Sequence, residues 1–147
     1  MRGARSGLSR PAARRRRPKR LAALLRPGGF RLRDGRLLKM RPIRESDAEG
    51  LRAAFYRLSD ESRYQRFMAP VKELTPEMLE RATRLDPSRE VALVITHGAD
   101  AGEIIAGGAR FAGDPDHDCC EFAVTLVDDW QGLGLGRRLM RKLMRVA

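Results

Sequence analysis

The sequence has 147 residues, enough for one domain, and a net charge of +11. Twelve of its 30 basic residues lie within residues 1–33, which contain no acid, so the other 18 are balanced by 19 acidic residues. A nearly neutral domain argues against a nucleic-acid-binding surface across the fold, and no apolar run is long enough to span a membrane. The adjacent Cys119 and Cys120 cannot build a disulfide framework, and we therefore expect a cytoplasmic protein.

Residues 1–33 are expected to form a basic, disordered tail, and residues 34–147 to form the domain. Four consecutive arginines at 14–17 repel one another, and the segment has little apolar surface to bury. An RNA-binding arm, a targeting peptide, a polybasic membrane tether and an N-terminus assigned too far upstream are alternatives to a solvated, non-essential tail. Nucleic acid is expected as a partner only through this tail.

The sequence patterns in the first part of the domain predict one strand followed by two helices. Residues 30–43 contain an Asp-Gly turn followed by an apolar strand. Ser46 predicts the N-cap of the first helix, with Glu49 completing a capping box. Residues 58–67 are a polar stretch, and the Thr-Pro pair at 75–76 predicts the start of the second helix.

Three strands are predicted next, over residues 91–96, 103–111 and 119–127. The short turns between them predict that they lie side by side and antiparallel. The glycine pair at 107–108 predicts a bend or a close approach of two backbones. The third strand leads into a glycine-rich loop, and a helix with an apolar stripe follows the loop.

The glycine-rich loop is the most informative stretch of the sequence. Gln131, Gly134 and Gly136 fill the pattern Q-x-x-G-x-G. The loop is not a dinucleotide fingerprint, because Arg137 stands where the last glycine belongs, and it lacks the Lys-Ser/Thr ending of a P-loop. Glycines let the backbone turn sharply, and the start of a helix offers unpaired N–H groups. The loop therefore predicts a cradle for a phosphate or diphosphate.

The loop and its flanks resemble the GNAT superfamily of acyl-CoA-dependent N-acetyltransferases. Residues 40–47, 58–64 and 128–134 are similar to the acetyltransferase domain of bacterial protein-lysine acetyltransferases, and the resemblance covers about residues 34–147. It implies an α/β (α+β) fold of the GNAT type, with a mostly antiparallel sheet flanked by helices. It also implies acetyl-CoA as co-substrate, with no metal.

The resemblance assigns the residues that contact the co-substrate. Leu126 and Val127 lie where the family's backbone pairs with the pantetheine arm, and the N–H of Val127 is the implied oxyanion donor. Arg137 can approach a phosphate of coenzyme A. Main-chain groups of the loop would hold the diphosphate; these residues are Gln131, Gly132, Leu133, Gly134, Leu135 and Gly136.

Glu121 is the candidate general base. It lies in the strand that leads to the loop, where related acetyltransferases place a carboxylate that takes the proton of the attacking amine. Alternation places it on one strand face with Ala123 and Thr125. A solvent-facing glutamate on a half-exposed strand is the alternative for this residue.

The function implied is transfer of an acetyl group from acetyl-CoA to a protein lysine or a small-molecule amine by direct attack. A non-catalytic acyl-CoA-binding or sensing module and an inactive fragment are the alternatives. Domains of this family continue with further strands and another helix, so a chain that stops at Ala147 is expected to be C-terminally truncated or completed by another chain. The oligomeric state stays open.

Overall fold

A five-stranded antiparallel sheet runs through the computed structural model, which describes residues 18–114, 116 and 119–146. The strands follow one another in sequence order: β1 Gly28–Arg31, β2 Leu37–Pro42, β3 Glu90–His97, β4 Ile104–Gly113 and β5 Cys120–Leu126. Five α-helices flank the sheet: α1 Pro18–Leu24, α2 Ala48–Tyr56, α3 Asp60–Phe67, α4 Pro76–Thr83 and α5 Leu135–Val146. The predicted α+β class with an antiparallel sheet is confirmed.

Strand β1 lies inside the segment for which disorder was expected. It pairs with β2 from Gly28 opposite Met40 to Arg31 opposite Leu37. Gly35 closes the hairpin at a φ of +94°, in the left-handed region that glycine adopts without strain. The expectation of disorder is therefore wrong for β1, because pairing with β2 outweighs its unfavourable composition. Residues 1–17 of the expected tail lie outside the described residues.

The three predicted central strands form β3, β4 and β5, each pairing antiparallel with the next. The glycine pair lies where backbones come close together. A Cβ atom added to Gly107 would lie 2.7 Å from the carbonyl oxygen of Thr125, and one added to Gly108 would lie 2.9 Å from that of Leu93. Larger residues would push β4 away from its neighbours, so the predicted close approach is confirmed.

Helices cover both faces of the sheet. On one face, α5 packs beside Val124 and Leu126 of β5, and it buries Leu135, Leu139 and Leu143. Helices α2, α3 and α4 lie on the opposite face. None of the described helices is long and apolar enough to cross a membrane.

The starts of the helices differ in how well the sequence predicts them. Thr75 caps α4 by accepting the N–H of Met78, as predicted. The N-cap predicted at Ser46 is wrong, because a 3-10 turn over Glu45–Asp47 precedes α2 and the Asp47 carboxylate accepts the N–H of Arg44. Helix α3 arises from the polar stretch and was not predicted.

Candidate functional site

The glycine-rich loop follows β5 through a 3-10 turn, Asp128–Trp130, and ends where α5 begins. Gly132 and Gly134 adopt φ angles of +74° and +78°. A Cβ atom added to either would meet nothing within 4 Å. Backbone conformation, rather than crowding, therefore requires glycine at these two positions. Gly136 differs, because a Cβ atom there would make ordinary contacts with Leu126 and Val124.

Six consecutive backbone N–H groups of the loop are unpaired. The N–H groups of residues 132–137 donate no hydrogen bond to the described part of the chain, and helical bonding begins where the N–H of Arg138 meets the carbonyl oxygen of Gly134. Residues 131–134 are exposed. The 12-residue α5 adds the positive end of its dipole at the same place. The arrangement can bind an anion that carries several oxygen atoms.

Side chains hold the loop against α3. The Nε2 atom of Gln131 donates to the carbonyl oxygen of Leu126 at 3.1 Å and to the Ser62 hydroxyl at 3.3 Å. The Asp128 carboxylate accepts the N–H of Ser59 at 3.0 Å. This N–H and the hydroxyl groups of Ser59 and Ser62 hold the pKa of Asp128 below its usual value.

Sequence reasoning missed Ser59, Ser62 and Asp128 as parts of this site. Ser59 caps α3 by accepting the N–H of Ser62. A serine followed by two acidic residues is a typical helix start, and it was the available signal. The partnership with Asp128, which lies 69 residues away in sequence, had no local signal.

Strand β5 is an edge strand. The two candidate co-substrate-binding residues at its end, Leu126 and Val127, differ in whether their backbone N–H groups are free to bind a ligand. The N–H of Val127 donates to the carbonyl oxygen of Ala106 at 2.9 Å, and its side chain is buried. It is therefore not available as the oxyanion donor that the resemblance implied. Backbone groups alternate in direction along a strand, so the N–H and carbonyl of Leu126 point to the free edge. An open groove of about 450 Å³ runs along that edge between Gln131 and Arg66.

Glu121 is not brought to the glycine-rich loop. It is exposed, pairs with Ala112 and lies five residues before Leu126, which corresponds to about 17 Å along the strand. It does share a strand face with Ala123 and Thr125, which line a cavity beneath α2, α3 and α4.

The remaining candidates divide between the core and the surface. Leu135 is buried at the start of α5, whereas Leu133 and Arg137 are exposed. Arg137 borders a groove of about 400 Å³ between β1 and α5. Among the described residues that line this groove, the charged ones are all basic: Arg26, Arg137, Arg138, Arg141, Lys142 and Arg145. The exposed loop therefore continues into a basic surface.

Comparison with known proteins decides the family. Residues 52–147 match the GNAT family of acetyltransferases. The chain belongs to the GNAT acetyltransferase family. The chemistry of this family is acyl transfer, and the antiparallel sheet with its flanking helices is the GNAT fold.

Two relatives are themselves named as acetyltransferases. The chain is 40% identical over 116 residues to an acetyltransferase of Pseudomonas aeruginosa, covering 79% of this chain and 62% of the relative. It is 34% identical over 126 residues to the acetyltransferase Pat of Mycolicibacterium smegmatis, covering 85% of this chain and 37% of the relative. The chain therefore spans about three fifths and two fifths of the lengths of these relatives.

Among solved GNAT structures, the GNAT domain of S. lividans PAT superposes on the chain with a TM-score of 0.70. The two share 29% sequence identity, and the match covers 82% of this chain and 70% of that domain. The resemblance to GNAT acetyltransferases stated from the sequence is confirmed.

Proposed function

We propose that the chain binds acetyl-CoA and transfers its acetyl group to an amine, either a protein lysine or a small molecule. The observation that carries this proposal is the row of N–H groups at residues 132–137, which are unpaired in the described part of the chain and extend from the exposed loop into the start of α5. The diphosphate of coenzyme A supplies oxygen acceptors and negative charge for such a row. Arg137 adds a positive side chain beside it.

The free edge of β5 supports binding of the pantetheine arm. The N–H of Leu126 points outward from this edge, and the groove between Gln131 and Arg66 runs along the same strand. An extended ligand with amide groups can pair with an edge strand as a further strand would. This pairing would carry the thioester from the loop toward Ala123 and Thr125. The N–H of Leu126 replaces that of Val127 as the proposed donor to the thioester oxygen.

The transfer needs a neutral amine and a place for its proton. In the proposed reaction the amine nitrogen attacks the thioester carbon, a C–N bond forms, the C–S bond breaks and the thiolate leaves. Glu121 takes the proton of the amine through a chain of water molecules, because it lies about 17 Å along β5 from Leu126. The exposed position of Glu121 on the cavity face of β5 supports this role. Solvent returns a proton to the thiolate.

The test compares Glu121→Gln with the unaltered chain. We expect acetyl transfer to fall by about 10²-fold or more while affinity for acetyl-CoA is retained, because the base acts on the amine alone. The control is Glu73→Gln, at an exposed glutamate in the loop before α4, which should change neither quantity. Equal transfer by both variants would show that Glu121 is not the base.

The same experiment separates an enzyme from a sensing module. A module that only senses acyl-CoA would bind acetyl-CoA in calorimetry and transfer nothing to any amine, and Glu121→Gln would not change its affinity.

The cellular location of the protein is proposed on separate grounds. The two free, exposed cysteines suit a reducing compartment, which supports the cytoplasm.

A further inference from the structure

A cavity of about 410 Å³ lies between the sheet and helices α2, α3 and α4. Ala123 and Thr125 of β5 form part of its floor, and Phe55 and Met78 are among the apolar side chains of its walls. Arg66 lines both this cavity and the groove along the free edge of β5. The cavity and the groove are therefore neighbours, and a molecule in the cavity can meet a thioester that lies along the edge strand.

Three arginines line the cavity: Arg66 of α3, Arg81 of α4 and Arg110 of β4. The described residues that line it include no aspartate or glutamate. Arg110 is held in place, since its guanidinium donates to the Glu90 carboxylate and to the carbonyl oxygen of Arg81. Arg66 and Arg81 form no ion pair with a carboxylate in the described part of the chain. The cavity therefore carries more positive charge than its own partners balance.

Arg66 is the side chain for which this imbalance matters most. Arg66 is half-buried; this partial burial lowers its pKa, and the nearby charge of Arg110 lowers the pKa further. Its described contact is with the ring of the neighbouring Phe67, at 5.1 Å from the ring centre. A guanidinium that loses water without gaining an acceptor is destabilising. A carboxylate in the cavity would supply both the acceptor and the opposite charge.

We infer that the cavity binds a carboxylate of the acceptor molecule, so that the acceptor is an amine that also carries a carboxylate. This inference rests on the proposed acetyl transfer. Arg110 pairs across the sheet with Ala123, and Glu121 lies on the same strand face two residues before Ala123. The acceptor can therefore present its amine toward Glu121 while its carboxylate faces the arginines. An apolar cavity with a few charged groups that fix orientation suits such a molecule.

Direct binding tests the carboxylate site without any need for turnover. Glutarate is titrated into the intact chain and into Arg66→Gln by calorimetry, with thermal unfolding to show that both are folded. The control is Arg57→Gln, at an exposed arginine outside the cavity. We expect glutarate to bind and Arg66→Gln to weaken binding about tenfold or more, with Arg57→Gln unchanged. Absence of binding, or equal binding by both variants, overturns the site.

Acceptor and acyl panels identify the source of the carboxylate. Lysine and cadaverine differ by one carboxylate, and we expect a lower KM for lysine, with the advantage lost in Arg66→Gln. Equal use of the two amines overturns the inference. A preference for succinyl-CoA over acetyl-CoA that depends on Arg66 would assign the carboxylate to the acyl group and also overturn it. If acetyl-CoA fails to bind while glutarate binding depends on Arg66, the proposed transfer fails and the carboxylate site stands.

Discussion

Among single residues, the buried guanidinium of Arg41 links three parts of the fold. It donates to both oxygens of Asp47 at 2.8 Å and to Glu103 at 2.6 Å, and only 3% of its surface is exposed. Asp47 also accepts the N–H of Arg44 at 2.7 Å. Strand β2, the turn before α2 and the residue before β4 are thereby joined. A buried charge of this kind depends on every partner being present.

Replacing Asp47 tests this dependence. In Asp47→Asn, Arg41 keeps Glu103 but loses a charged partner, and we expect the free energy of unfolding in urea to fall by about 3 kcal/mol. The matched control is Glu49→Gln, whose ion pair with Arg52 is exposed and should contribute less than about 1 kcal/mol. Similar losses in the two variants would contradict the role given to the buried network.

The same residues predict how stability depends on pH. Burial raises the pKa of Asp47, but the hydrogen bonds from Arg41 and Arg44 outweigh it, so the pKa lies below its usual value. The hydrogen bond from Arg41 lowers the pKa of Glu103. Both folded values lie below the unfolded values of about 4, so this stabilisation is present above that pH and is lost as pH falls toward the folded values. Between pH 6 and pH 3, the free energy of unfolding in urea should fall less steeply for Asp47→Asn than for the unaltered chain. Parallel curves for the two proteins would contradict this explanation of the pH dependence.

Among secondary-structure elements, α3 is the helix that contacts both the glycine-rich loop and the arginine-lined cavity. Its N-terminus is joined to the turn after β5 by Asp128, and Ser62 is joined to Gln131 of the glycine-rich loop. Arg66, near its other end, lines the cavity. A shift of this helix would move both the loop and the wall of the cavity.

Amide hydrogen exchange measures the connection between α3 and the loop. In Asp128→Ala the N–H of Ser59 loses its acceptor, and we expect exchange in the first turn of α3 to rise about tenfold while β3 stays protected. Asp129→Ala is the control, because the neighbouring aspartate is exposed and has no hydrogen bond in the described contacts. Unchanged exchange in Asp128→Ala would show that the contact does not hold the helix.

The elements also show what the sequence can predict. Strands β3 to β5 were predicted because apolar runs lie between recognisable turns. Strand β1 was missed, since Gly28 and Gly29 disfavour a strand and only pairing with β2 orders them. The cap at Ser46 was wrong because Arg41, on another element, engages Asp47. Local sequence signals predicted local structure, and the errors arose where a contact with a residue distant in sequence determines the backbone conformation.

In the whole molecule, the two proposed binding sites, the glycine-rich loop and the arginine-lined cavity, both border the free edge of β5. The glycine-rich loop was predictable because its residues are contiguous in sequence. The arginine-lined cavity was not, because α3, α4 and β4 each contribute one guanidinium and only the folded chain brings them together. The separation of Glu121 from the loop likewise depends on the direction of β5.

The most direct measurement of the central claim is the affinity of the chain for coenzyme A, determined by calorimetry for two matched glycine variants. Gly134→Ala in the loop and Gly35→Ala in the β1–β2 turn both place a side chain at positive φ in open space, so the backbone strain is similar, about 1–2 kcal/mol each. We predict that coenzyme A binds the unaltered chain, that Gly134→Ala weakens binding about tenfold or more, and that Gly35→Ala leaves it unchanged. Equal affinity in both variants, or no binding by the unaltered chain, would contradict the account.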